Sequence, residues 1–138
     1  MAKKTQIIGE KELAAKFKEL ANVHDSNRFE DELLEIADDL KYKIKREIKS
    51  KGLFKTGRLY RAVVAKKFKG KRKGFPAVFV ANDYSIAPHA HLVERGHGGP
   101  HPAAAHPYFF RTVRRERGGL ERRIQNKTWD LIKRKAME

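Results

Sequence analysis

The chain of 138 residues contains no cysteine, which excludes a disulfide framework and a thiolate metal site. It also lacks any apolar run longer than a few residues, so no stretch reads as a membrane span. Met1-Ala2-Lys3-Lys4 has no extended apolar region behind it, only Ile7-Ile8. No signal peptide is therefore expected, and the product is expected to stay soluble in the cell that makes it unless it is packaged. Gly96-x-Gly98-Gly99 is not a phosphate-cradling motif, and no nucleophile elbow surrounds Thr56 or Ser85. There is no internal repeat. The length suits one domain with its own core. Acid is scarce in the second part of the chain. Residues 1–50 hold 11 Lys/Arg and 11 Asp/Glu, whereas residues 51–138 hold 21 and 6, which supplies the whole net charge of +15. Such a skew points to nucleic acid or another polyanion, or simply to a well-solvated surface.

Four of the five prolines fall between Pro88 and Pro107, and they bracket the stretch that organises the chain, residues 87–110. A short helix fits its start. Pro88 suits a first helical position, Ala90, Leu92 and Val93 give an apolar side, and Gly96 suits a left-handed C-terminal cap. Gly98, Gly99, Pro100, Pro102 and Pro107 then forbid regular structure for about ten residues. Pro107 restarts a helix whose beginning, Tyr108-Phe109-Phe110, is heavily apolar.

The rest follows from periodicity. Residues 1–9 read as a loose arm or short strand. Residues 10–22 read as an amphipathic helix with Leu13, Phe17 and Leu20 on one side. Residues 23–27 form a break, and Asn27 with Glu30 fits a capping box. From about 28 to 50 the stripe Phe29, Leu33, Ile36, Ala37, Leu40, Ile44, Ile48 predicts a long helix, acidic early and basic late, as the helix dipole favours. Residues 51–57 are a loop. Residues 58–69 and 75–81 read as two strands of a hairpin, with Lys66 to Gly74 its basic tip. The last helix is expected over 107–135, with Phe110, Val113, Leu120, Ile124, Leu131 and Ile132 on its apolar side. Gly118-Gly119, at about 1 kcal/mol each against alanine, should kink or split it. The predicted fold class is α+β: a small antiparallel sheet packed against a long helix of the N-terminal half and a long C-terminal helix.

Chemistry is thin. His89, His91, His97, His101 and His106 with Glu94 could in principle ligate zinc, but no pair has a standard spacing, and no metal or other cofactor is expected. Glu94 lacks a partner acid, nucleophile or metal, so a general base is not expected and the chain does not read as an enzyme. An ion pair or helix-end hydrogen bond that fixes the Gly96 turn suits it better. The basic tip has three readings: solvated, bound to DNA phosphates, or docked in an acidic groove of a neighbouring protein. One flanking aromatic on each side, Phe68 and Phe75, is no stacking platform.

Ala90-His91-Leu92-Val93-Glu94-Arg95-Gly96-His97, a Pro-rich gap and Pro107-Tyr108-Phe109 together resemble the signature of the head–tail joining (tail-completion) proteins of long-tailed bacteriophages, in which the pattern reads Tyr-Ala-x-x-Val-Glu-x-Gly. The family's upstream Thr-Gly-x-Leu element is matched by Thr56-Gly57-Arg58-Leu59. The chain departs from the pattern at His89, where an aromatic stands in the family, and at Arg95, where an aromatic or aliphatic is usual. The resemblance covers residues 25–135. It implies a structural protein of the virion neck, assembled in the bacterial cytoplasm as a ring of copies of this chain, six by family expectation. The ring would join the head connector or adaptor to the tail tube or tail terminator, with non-specific contact to genome DNA and none to membrane. It further implies that Thr56 caps a helical turn. On this reading Lys67, Lys69, Lys71, Arg72 and Lys73 of the tip, with Glu94, Arg95, His97, Pro100, His101 and Pro102, form the assembly surface. Thr56, Gly57, Leu59, Leu92, Val93, Gly96, Pro107 and Phe109 are the structural anchors. The alternative, of a different class, is a small basic nucleic-acid-binding protein.

Overall fold

A computed structural model describes residues 10–21, 27–69 and 76–137. The elements in chain order are α1 (Glu10–Ala21), α2 (Asn27–Ser50), α3 (Arg58–Ala62), β1 (Val63–Lys67), β2 (Val78–Asn82), α4 (Ala90–Arg95) and α5 (Phe110–Met137). The architecture is α+β, with one two-stranded antiparallel sheet and two long helices. The expected arm at 1–9, residues 23–26 of the break read over 23–27, and residues 70–74 of the hairpin tip read over 66–74, including Lys71, Arg72 and Lys73, lie outside the described residues, as does Phe75.

α2 forms where the stripe predicts it, and Phe29, Ile36, Ala37, Leu40, Ile44 and Ile48 are all buried. Its end is set by Gly52, which takes φ 70°. Gly52 N–H bonds to the Lys49 carbonyl at 3.1 Å and Leu53 N–H to the Ile48 carbonyl at 3.0 Å. This pair of bonds around a left-handed glycine is a Schellman cap, and Leu53 packs back on the core as that motif favours.

α2 lies against α5 and both strands. The two helices run antiparallel, as the cross-pairs require. Glu47 faces Arg115, Lys43 faces Glu116, Asp39 faces Arg123 and Glu32 faces Lys127, so α2 numbers fall as α5 numbers rise. One core cluster joins Leu40, Ile44 and Ile48 to Leu59, Ala62, Val63, Ala87, Ala90, Tyr108 and Phe109. A smaller one joins Phe29 to Leu131 at the far end of the helix pair.

Three expectations need correction. Residues 58–62 are a helical turn, and the strand begins only at Val63. Gly57, at φ 76°, sends the chain into that turn, and Arg61 N–H closes it on the Gly57 carbonyl at 3.0 Å. Leu59 and Ala62, three apart, then bury the same side. Second, α5 begins at Phe110 rather than Pro107, and Gly118-Gly119 neither splits nor ends it. The glycines lower helix propensity, but contacts on both sides hold the helix to α2: Val113 and Leu120 on the main core, Leu131 on the smaller cluster. Third, the apolar side of α5 is narrower than expected. Phe110 is 51% exposed, Ile124 lies at the surface and Trp129 is 60% exposed. In α1, Leu13 is exposed rather than part of an apolar seam, while the side chains of Phe17 and Leu20 lie outside what is described.

β1 and β2 pair from Val63↔Asn82 to Lys67↔Val78. Phe68 N–H to the Ala77 carbonyl, 2.8 Å, and Asp83 N–H to the Ala62 carbonyl, 2.7 Å, extend the ladder at both ends. Asp83 Oδ1 then accepts from Ser85 N–H and Oγ–H, at 3.0 and 2.6 Å, and turns the chain towards α4. Those two bonds hold the Asp83 carboxyl below the usual carboxylate range. The fully buried Ala87 and Ala90 are small enough to seat α4 directly on the core.

Candidate assembly site

The first four N–H groups of a helix have no partner within it. In α5, intrahelical bonding starts with Val113 N–H to the Phe109 carbonyl at 3.0 Å, so Tyr108, Phe109 and Phe110 present open N–H groups. Pro107 breaks the helix before them. Among the described residues, no Ser, Thr, Asp or Asn side chain caps this end. The cap comes from α4. Glu94 is buried, and its carboxylate accepts from Tyr108 N–H at 2.9 Å and Phe109 N–H at 3.0 Å on Oε2, and from Phe110 N–H at 3.1 Å on Oε1. A carboxylate at a helix N-terminus also meets the positive end of the helix dipole.

This corrects the expected role of Glu94. It is a helix-end acceptor, as read, but it fixes the start of α5 and not the Gly96 turn. The turn has its own devices. Gly96 N–H bonds to the Leu92 carbonyl at 2.8 Å, with φ 73°. A Cβ at Gly96 would sit 2.7 Å from the Ala105 nitrogen and 2.8 Å from the Ala103 oxygen, so glycine is required twice, by backbone angle and by space. His97 and Ala103 exchange both backbone hydrogen bonds, at 2.9 and 3.0 Å, and His106 N–H bonds to the Val93 carbonyl at 2.8 Å. The 97–106 loop is thereby closed at its neck and pinned to α4, with Pro100, His101 and Pro102 exposed beyond the closure.

Tyr108 completes the joint. Its ring is fully buried, and its hydroxyl donates to Asn82 Oδ1 at 3.0 Å, which ties the helix start to the end of β2. Burial first, then the charge of Glu94, pushes the Tyr108 phenol far up, so it remains a donor at any ordinary pH. Thr112 Oγ–H returns to the Tyr108 carbonyl at 2.7 Å.

The anchors distribute as follows. Leu59, Gly57 and Phe109 are buried, Val93 is half-buried against the core and Pro107 is half-buried. Leu92, expected to pack inward, is 37% exposed. A six-residue helix can turn only one side to the core; Ala90, Val93 and Glu94 occupy it and Leu92 falls at its edge. Thr56 does not hold the cap position of α3. That residue is Gly57, and Thr56 Oγ1 receives only a long 3.4 Å contact from Arg58 N–H.

The expected surface residues are brought together only in part. Lys67 is tied to Asp31 of α2, far along the hairpin. Lys69 is exposed near the tip. Arg95, by contrast, stands with Arg111, Arg114, Pro107, Phe110 and Glu94 itself around a hollow of about 480 Å³. Its neighbours were not foreseen, although arginines at 111 and 114 lie three apart in the first turns of a helix. All five histidines of the stretch are exposed, and no group of three or more metal-ligating side chains assembles among the described residues. No helix of the described residues is long and apolar enough to cross a membrane.

Comparison with family models, with curated proteins and with solved structures finds no match to this chain.

Proposed function

We propose that this protein is a structural component of a bacteriophage neck: a ring-forming head–tail joining protein, with no catalytic role. The supporting observation is how the pieces of the resemblance relate in space. Thr56-Gly57-x-Leu59, Ala90 to His97 and Pro107-Tyr108-Phe109 are far apart in sequence, yet Leu59, Ala90, Tyr108 and Phe109 share one core and Glu94 caps the helix that Tyr108 and Phe109 begin. A motif that makes a folded joint rather than a reactive centre suits a scaffold that assembles. Ring closure calls for head-to-tail contacts between copies. The exposed end of the 97–106 loop, Arg95 and the hairpin residues Lys67 and Lys69 are the surfaces offered for them, with the connector or adaptor on one side and the tail tube or terminator on the other. Assembly takes place in the host cytoplasm and the product is carried in the virion.

The test is genetic and visual. Deleting the gene from its phage should leave filled heads and complete tails unjoined under the electron microscope, and adding the purified protein should restore joined particles. Normal joining without the gene sinks the proposal.

The hollow edged by Arg95, Arg111 and Arg114 favours a second reading, binding of nucleic acid through its phosphates. Binding of this kind should be indifferent to sequence and weak at physiological salt, roughly 10⁻⁴–10⁻⁶ M, with a steep loss as salt rises. Tight, salt-resistant binding to one sequence would place this reading ahead of the neck.

A further inference from the structure

Beside α4, with Leu92 and Val93 but not Glu94 in its lining, lies a separate hollow of about 560 Å³. This is the size range of sites that hold one small ligand or a short peptide segment. Its aliphatic wall is Leu53, Leu59, Leu92, Val93, Ala103 and Ala104. Lys51, Lys55, Thr56, His89, His97 and His106 also line it. No acidic side chain lines it among the described residues; Glu47 lies 3.9 Å from the Lys51 ammonium but outside the lining. Three separate parts of the fold build it: the Schellman-capped end of α2, the approach to α3, and α4 with the neck of the 97–106 loop.

We infer that this hollow receives an extended acidic segment of a partner protein, with one aliphatic side chain set on the Leu92–Val93 wall and carboxylates against Lys51 and Lys55. Three features select this occupant. The lining carries cationic and hydrogen-bonding groups around an apolar wall, complementary to a segment that mixes acid with a leucine-like residue. Ala104, in the lining, makes no backbone–backbone hydrogen bond among the described residues, so its N–H and C=O are available to pair with an extended chain. The lining has no Phe, Tyr or Trp, which leaves nucleic-acid bases without the usual stacking surface. Leu92, left 37% exposed at the edge of the packed side of α4, is the side chain a partner covers. The inference stands on this hollow alone and does not depend on the neck reading.

The test uses the full isotopically labelled chain and three probes. One is a short peptide of glutamates and aspartates with a central leucine, the second the same peptide with serine for leucine, and the third a single-stranded oligonucleotide of matching charge. Amide shifts are followed by NMR. The leucine peptide should move the amides of residues 51–59, 92–97 and 103–106, and the serine peptide should bind about tenfold more weakly, the equivalent of about 1.4 kcal/mol. Lys55→Glu, a change on an exposed side chain, should weaken the leucine peptide by a similar factor while leaving the rest of the spectrum in place. Leu92→Asp should abolish it. The inference is overturned if the two peptides bind equally, if Lys55→Glu has no effect, if the oligonucleotide moves these amides and the peptide does not, or if nothing moves them.

Discussion

The α2–α5 seam and the α4–α5 joint hold the same helix by opposite means. Along the seam, α5 is attached by many modest contacts spread over most of its length: two apolar clusters and a row of cross-helix ion pairs. At the joint, beside the buried Tyr108 and Phe109, its open N–H groups depend on one side chain, Glu94, that serves three of them at once. A distributed contact fails gradually. A concentrated one fails at a single residue, because buried donors left without an acceptor keep their desolvation cost. The comparison predicts a sharp asymmetry between substitutions on the two sides.

The largest effect belongs to Glu94→Ala. It strands up to three N–H groups, two of them buried, and should cost about 3–5 kcal/mol in chemical denaturation. Glu94→Gln keeps the shape and one acceptor oxygen but sets an amide N–H₂ against the helix end, so about half that loss is expected. If both substitutions cost less than a typical exposed change, the joint is not concentrated in Glu94 and the contrast collapses.

Gly96→Ala should follow, at about 2–4 kcal/mol. The left-handed backbone alone costs an alanine about 1–2 kcal/mol, and here the added Cβ also meets the backbone of Ala103 and Ala105. Because those atoms belong to the loop neck, hydrogen exchange should show the His97 and Ala103 amides losing protection before the α2 amides do. Equal loss in both would mean that the loop is not separately held.

These two regions were also unequally legible in the sequence. The seam was open to periodicity: an apolar stripe on α2 is a local property, and it predicted both the helix and its buried face. The joint was half legible. Gly96 as a cap and Glu94 as a helix-end acceptor could be read from type and position, but the end that Glu94 serves lies fourteen to sixteen residues on, across a Pro-rich loop, and no local rule connects them. The missing capping residue before Phe110 was the available signal, since an apolar helix start with no Ser, Thr, Asp or Asn must find its acceptor elsewhere. Charge, read in halves, showed the skew but not which charges pair across it. Folding sets Asp39 and Glu32 of α2 beside Arg123 and Lys127 of α5, so some basic residues of 51–138 are paired locally while the net charge of +15 is unchanged. Of the kink or split read at Gly118-Gly119, the split is absent, because propensity is a weak term once both flanks are packed.

That last point sets a stabilising prediction. Both glycines are exposed, helical and have open space where a Cβ would go. Gly118→Ala with Gly119→Ala should therefore raise stability by about 1–2 kcal/mol through helix propensity and a less disordered unfolded chain. The gain should appear as a higher denaturant midpoint with an unchanged slope. A loss would mean that this segment of α5 relies on a bend that the glycines permit.

The smallest effect is expected on the seam itself. Asp39 and Arg123 meet at 2.7 Å across α2 and α5, but their side chains are 54% and 42% exposed. Water competes for both, and holding two long side chains in one geometry costs entropy, so such a pair contributes only about 0.2–1 kcal/mol. Asp39→Asn and Arg123→Gln singly, and then together, complete a double-mutant cycle that isolates the pair from its neighbours. The coupling should fall within that range at low salt and shrink towards zero at high salt, where the Debye length drops to about 3 Å at 1 M. The Glu94→Ala loss should hardly respond to the same salt, because the acceptor and two of its three donors are buried. A coupling above about 2 kcal/mol, or one that persists at high salt, would make the seam as concentrated as the joint and remove the distinction between them.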